Sequence, residues 1–196
     1  MTFTHIAVTG HTKGIGKSII EMLSPDYKTS GYSRSNGYDL NSSVDDIIND
    51  TINCDVLINN AWHNPGQLKL LEAWCHAHKD SPHLVINIGT IGADPFLAQS
   101  NKSIEEYINQ KKLLNLASWN INVNNYRCKS VMITPGIVDT DYFNGDVPAD
   151  LKENYTKLQH RRRLITSEEV ATTVKFVLDN FKENSFISQV SIINNI

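Results

Sequence analysis

The chain predicts a doubly wound α/β fold with a mostly parallel sheet, in a single domain spanning residues 1–196. Three observations carry that expectation. Short apolar, β-rich runs alternate with segments of helical period. A glycine-rich turn joins the first run to the first amphipathic segment. The residues that follow the later runs are small or polar, as at strand ends that open onto a ligand. A chain of 196 residues is also long enough to bury roughly 70% of the surface its unfolded form exposes.

The first strand is expected at His5–Thr9, and Gly10, Gly14 and Gly16 follow it directly. Without a β-carbon, glycine turns with positive φ and lets backbone N–H groups come close to a phosphate. Three glycines alone fit an ordinary β-to-α turn equally well, so the rest of the chain has to decide. A helix over 16–23 comes next, then a strand over 29–33 that ends in Ser33-Arg34-Ser35, and a short third segment with Tyr38-Asp39-Leu40.

A helix over 43–52 leads to strand Val56–Asn59, which runs into Asn59-Asn60-Ala61. A helix over 67–78 leads to Leu84–Ile88 and then Gly89-Thr90. A helix over 103–120 carries Tyr107 and Lys111 and leads to a strand over 130–134, followed by Pro135-Gly136-Ile137-Val138-Asp139-Thr140. A helix over 167–181 and a strand within 186–193 close the chain. Segment 141–165 has no clear period, and a loop of that length reads as a substrate-side lid. Its Arg161-Arg162-Arg163 run is either a solvated face or a grip on an anionic substrate.

Composition narrows the partners. A formal charge of -3 with interspersed signs lacks the basic footprint of a nucleic-acid binder. No apolar run approaches the ~20 residues of a membrane span. Cys54, Cys75 and Cys128 are odd in number and unpatterned, and the first residues lack a secretory leader pattern, for which a reducing cytoplasm is the expected setting. Cys75, His76 and His78, with His63 and His83 nearby, raise the question of a metal. On a helix, however, His76 and His78 point to different faces, so only Cys75 and His78 could chelate together, and no metal is expected. A small-molecule substrate remains.

Tyr107 and Lys111, four residues apart, share one helix face. Lowering a tyrosine pKa from about 10 to near neutrality takes about 4 kcal/mol. An ammonium ~4 Å away supplies about that much at an effective dielectric near 20.

Taken in order, Thr9-Gly10-x-x-x-Gly14-Ile15-Gly16, Asp39, Asn59-Asn60-Ala61, Tyr107-x-x-x-Lys111 and Pro135-Gly136 with Thr140 resemble the motif set of the short-chain dehydrogenases/reductases, nearly end to end. The resemblance implies a Rossmann-type fold and a nicotinamide dinucleotide. Gly10, Thr12, Lys13, Gly14, Ile15 and Gly16 would line its pyrophosphate. Asp39 and Leu40 would sit at the adenine, with Asn60, Ala61, Lys111, Pro135, Gly136, Val138 and Thr140 on the nicotinamide side. An NAD site needs a carboxylate at the end of the second strand, whereas Ser33, Arg34 and Ser35 stand there, with Lys13 as a second cation. NADP(H) is therefore expected over NAD(H).

By the same resemblance, Tyr107 protonates a substrate carbonyl, Lys111 also bonds the nicotinamide ribose, and Thr90 stands where the family has a serine, with Ser100 or Ser103 as alternatives. Asn64 is nearest to the family's relay asparagine. The helix bearing Tyr107 also presents Ile104, Ile108, Leu113, Leu114 and Leu116, and the family pairs this helix with a symmetry mate, which implies a homodimer or homotetramer. Three departures stand out: Trp62 replaces the glycine after Asn59-Asn60-Ala61, Thr90 is β-branched, and the 67–78 helix is short. They keep open a second class, a catalytically silent dinucleotide-binding sensor or scaffold.

Overall fold

The computed structural model describes residues 2–93, 104–124, 126–140 and 163–194, together with 153 and 157. The strands are β1 His5–Thr9, β2 Lys28–Tyr32, β3 Val56–Asn59, β4 Leu84–Ile88, β5 Lys129–Pro135 and β6 Gln189–Ile192. They form one sheet in the order β2-β1-β3-β4-β5-β6, and every neighbouring pair is parallel. The helices of the described residues are α1 Gly14–Leu23, α2 Val44–Asp50, α3 Gly66–Ala77, α4 Glu105–Val123 and α5 Ser167–Asn180. The architecture is the doubly wound α/β fold that the alternation predicts.

The central strands are buried on both faces, which is why Val56-Leu57-Ile58 and Leu84-Val85-Ile86 read as unbroken apolar runs. Alternate side chains divide into two layers. Ile6, Val8, Ile58 and Ile86 pack with Ile19 of α1 and Val170 and Val174 of α5. Ala7, Leu57 and Val85 pack with Leu70 and Trp74 of α3 and Leu114 of α4. The edge strand β2, Lys-Thr-Ser-Gly-Tyr, is polar except at its end, as suits a strand with one open side.

The segment Tyr38-Asp39-Leu40 is not a strand. Its backbone is satisfied locally: Tyr38 N donates to Ser33 O, and Ser42 N and Ser43 N donate to Asp39 O. Gly37, at φ 95°, turns the chain, and the Asp39 carboxylate accepts from Asn41 N at 2.9 Å. Tyr38 instead packs edge-on against Tyr32, and Leu40 enters the core.

At the end of α3 away from the strand tips, Trp74 is fully buried and its indole N–H donates to Thr51 Oγ1 at 3.0 Å. His78 lies 4.2 Å from the Trp74 ring and stacks on His83 at 4.0 Å. Burial, and then repulsion from His83, lowers the His78 pKa from 6.5 to about 4. Between those values the unfolded chain holds a proton that the folded chain refuses, so stability falls as pH drops through that window. In His78→Phe, which keeps a stacked ring without the titration, the urea midpoint should change less between pH 6.5 and 4.5 than in wild type. An equal acid loss in both proteins would show that His78 is not responsible.

Candidate functional site

Between β1 and β3 the strand order reverses, and the crevice at their carboxyl ends is where ligands enter such sheets. Here Gly10, at φ 67°, donates its N–H to Tyr32 O at 2.8 Å and turns the chain into α1. A β-carbon on Gly16 would lie 2.2 Å from the Gly10 carbonyl oxygen and 2.7 Å from Asn60 Nδ2, so only glycine lets the helix start this close. Thr9 joins the two strand ends: its Oγ1 accepts from Asn60 N and Ala61 N, both at 3.0 Å, and its carbonyl accepts from Asn60 Nδ2 at 3.0 Å.

Gly14, at φ 49°, faces the Thr140 methyl, at 3.4 Å from where its β-carbon would be. The glycine turn and the loop after β5 therefore line one crevice. That loop is pinned: Gly136 N donates to Ile192 O, Ile137 N donates to Asn194 Oδ1 at 2.9 Å, and Val138 bridges to Ile165. No side chain caps α1, and its first turn has no acid; α2, α3 and α4 are likewise without a side-chain cap, whereas α5 has a complete Thr166–Glu169 capping box. The α1 N–H groups thus face the crevice without a protein side chain to satisfy them.

Among the described residues, the buried side-chain atoms without a partner are His11 Nδ1, Asn59 Oδ1 and His63 Nδ1, on residues at or just after the ends of β1 and β3, and His78 Nε2 at the far end of α3. A cradle of three glycines, an uncapped helix start and unpaired polar atoms fit a phosphate-bearing dinucleotide. Thr12 and Lys13 are exposed on the turn, and Ile15 packs at the edge of the core.

At the end of β2, Ser33 Oγ donates to Asn36 Oδ1 at 3.1 Å and so accepts from Ser35 Oγ at 2.8 Å. The two hydroxyls bond each other within the turn, at the position where the resemblance places contacts to the cofactor. Arg34 is exposed and has no carboxylate partner among the described residues, so its guanidinium donors remain available.

Across the crevice, α4 carries Tyr107 and Lys111 on one face, with Lys111 Nζ 5.4 Å from the Tyr107 ring centre. Lys111 is buried, and its Nζ donates to Ile88 O at 2.7 Å and to Gln67 Oε1 at 2.8 Å. Gln67 Nε2 in turn donates to Asn59 O at 2.8 Å, Asn59 Nδ2 donates to Asn87 Oδ1 at 3.0 Å, and Asn87 Nδ2 donates to Ser130 Oγ at 2.9 Å. A buried polar chain therefore fixes the amine from α3 through three strands.

Burial lowers the Lys111 pKa from 10.5 to about 7, which disfavours the ammonium. The cost of that buried charge is complete below about pH 7 and is relieved as pH rises toward 10.5. Thr90 lies just after β4, where Gly92 brings the following turn against Ile108 of α4. Its Oγ1 accepts from Gly92 N at 3.3 Å.

Asn64 does not contact the Lys111 amine. Its side chain is hydrogen-bonded to Glu106, and Gln67, three residues on and buried in the first turn of α3, lies beside Lys111. Trp62 turns toward α4, edge-on to Tyr107 with ring centres 5.4 Å apart. Ser100, Ser103, Arg161, Arg162 and most of 141–165 lie outside the described residues. Arg163 pairs with Glu169 at 2.7 Å. Cys75 is committed to a buried thiol contact, with Cys128 Sγ 3.5 Å away, and His78 to its aromatic stack.

No family model matches the sequence, and neither does any curated protein. The fold does match solved structures over nearly the whole chain. An oxidoreductase of the short-chain dehydrogenase/reductase family from Burkholderia thailandensis aligns with a TM-score of 0.74 at 14% identity, covering 98% of this chain and 92% of that one. An alcohol dehydrogenase from the archaeon Thermococcus sibiricus, complexed with 5-hydroxy-NADP, aligns at 0.73 with 16% identity, covering 96% and 95%. Serine dehydrogenase from Escherichia coli aligns at 0.72 with 16% identity, covering 98% of each. In fold, the chain is similar to the short-chain dehydrogenases/reductases.

The Gln67–Lys111 contact is directly testable. Gln67→Glu puts a carboxylate where the amide oxygen stands and should move the Lys111 titration up from about 7 toward the ordinary lysine range. Lysine-selective nitrogen NMR reads the midpoint, and a midpoint that stays near its present value would refute the contact.

Proposed function

We infer that the protein is an NADPH-dependent oxidoreductase of the short-chain dehydrogenase/reductase type, acting between a carbonyl compound and its alcohol. The observation that carries this reading is the pairing, across one crevice, of the glycine cradle with Tyr107 and Lys111 on a single helix face. When bound, the dinucleotide supplies or accepts a hydride. Gly10, Gly14 and Gly16 admit its pyrophosphate to the α1 N-terminus. Tyr107 donates its phenolic proton to the carbonyl oxygen as the carbon is reduced, and recovers one from solvent afterwards. Lys111 is held beside it by Ile88 O and Gln67 to favour the phenolate and to offer a remaining donor to the ribose.

The unpaired Arg34 supports NADPH over NADH, because a guanidinium fork suits a 2′-phosphate and no carboxylate stands at this turn to hold a 2′-hydroxyl. The silent-binder reading draws on a different observation: Lys111 spends two donors inside the protein, and burial disfavours its ammonium.

Two variants decide between these readings. Tyr107→Phe keeps the ring and should hold NADPH within a few fold while turnover across a carbonyl panel falls by roughly 10²-fold or more. Arg34→Ala should remove most of an NADPH preference of about tenfold, or 1.4 kcal/mol. NADPH binding with no wild-type turnover on the panel would establish the silent binder, and equal wild-type affinities for NADPH and NADH would remove the NADPH assignment.

A homodimer or homotetramer through α4 belongs to the same proposal. Leu114 faces the core, whereas Leu113, Leu116, Trp119 and Val123 are 46–61% exposed. A groove between Leu68, Ala73 and His76 of α3 and Leu116 of α4 continues that surface. Three free, buried cysteines suit a reducing cytoplasm, and no described helix is long and apolar enough to cross a membrane. Sedimentation at micromolar concentration should give an oligomer that Leu116→Glu with Trp119→Glu dissociates, and a monomeric wild type would reject it.

A further inference from the structure

The loop between β3 and α3 brings to the site an aromatic side chain that neither the glycine cradle nor the Tyr107–Lys111 pair requires. Trp62 keeps 47% of its surface exposed, yet its indole sits 5.4 Å from the Tyr107 ring with 71° between their planes. Single exposed apolar side chains are ordinary on protein surfaces. This one is held in place. On one side Ala61 N donates to Thr9 Oγ1 at 3.0 Å. On the other, the Asn64 side chain is bonded to Glu106, the residue next to Tyr107, and Gln67 N donates to His63 O at 3.2 Å. The loop and the first turn of α4 are thereby stapled to one another around the ring pair, and the uncovered part of the indole remains beside the phenol.

We propose that Trp62 is a specificity-determining wall of the substrate site and that the preferred substrates are aryl carbonyl compounds, aromatic aldehydes and ketones, over aliphatic ones. The inference rests on the assignment of Tyr107 as proton donor and adds the substrate class. A proton donor must come within about 2.6–3.2 Å of the carbonyl oxygen. Aromatic rings attract one another at centroid separations of roughly 4.5–7 Å, edge-to-face or offset. With the indole already within that range of the phenol ring, an aryl group attached directly to the carbonyl carbon is brought beside it. An aliphatic chain in the same place gains only apolar contact. The nicotinamide ring has the same planar chemistry and is the competing occupant, so the test has to separate cofactor from substrate.

The test compares wild type, Trp62→Ala and Trp62→Phe, each saturated with NADPH, on benzaldehyde and butanal. The proposal expects the benzaldehyde-to-butanal ratio of kcat/KM to fall at least tenfold in Trp62→Ala, mainly through the KM for benzaldehyde. Trp62→Phe should recover part of it, and the NADPH dissociation constant should stay within twofold in both variants. An unchanged ratio in Trp62→Ala would overturn the proposal, as would weakened NADPH binding with the ratio intact, which would make the indole a cover for the nicotinamide. Ligand-observed NMR of acetophenone with the NADP⁺-loaded protein reads the wall without turnover. If no carbonyl is reduced, an acetophenone binding signal that disappears in Trp62→Ala still supports an aryl site while the enzyme reading fails, and a signal undiminished in that variant overturns the site itself.

Discussion

The approach of α1 to the end of β1 is the constraint on which the crevice depends. At Gly16 a single added carbon would sit 2.2 Å from the Gly10 carbonyl, and there is no flexible side chain to yield, because the obstacle is backbone. Asn60 closes the same knot from β3, its Nδ2 bonded to Thr9 O while it leaves no room for a side chain at Gly10 or Gly16. One side-chain amide therefore sets both the separation of the β1 and β3 tips and the height at which α1 begins. The open N–H groups of α1, the position of Ala61 and the path of the loop that bears Trp62 all follow from that spacing.

The opposite wall is set by a buried amine. Lys111 has no water to solvate it, and the protein supplies Ile88 O and Gln67 Oε1 in its place. Two acceptors take both protons of a neutral amine and leave an ammonium with a donor to spare. Burial is what depresses the pKa to about 7, and a ligand that brings an oxygen or negative charge to the third donor favours the cation. The polar chain through Asn59, Asn87 and Ser130 crosses the middle of the sheet, where unpaired polar atoms are costly. The amide donors of Asn59, Gln67 and Asn87 are used within it, and Asn59 Oδ1 is left unpaired.

Much of this could be read from the residues. β1, β3 and β4 were legible because strands buried on both faces are mostly apolar, the buried Asn59 and Asn87 being held by hydrogen bonds, and the glycine turn because its spacing has a backbone reason. Tyr38-Asp39-Leu40 stayed an unassigned short segment because the turn that buries its leucine is closed by backbone bonds no residue pattern reveals. Gln67 was invisible for a different reason: its partner lies 44 positions away, and Asn64, closer to the expected place along the chain, bonds Glu106 instead. The sequence marked Trp62 as a departure but not which way its indole would turn, since the Asn64–Glu106 contact that holds its loop joins two elements distant in the chain.

The central claim, that the crevice between β1 and β3 takes a phosphate-bearing dinucleotide, is most directly tested by titrating nitrogen-labelled protein with NADPH and following the backbone amides. The account predicts that the largest shifts fall on Gly14, Ile15 and Gly16 at the start of α1, with further shifts at Arg34, Ala61 and Thr140, and that Ala73 and Leu116 in the α3–α4 groove stay still. Shifts confined to that groove, or none at millimolar NADPH, would contradict it.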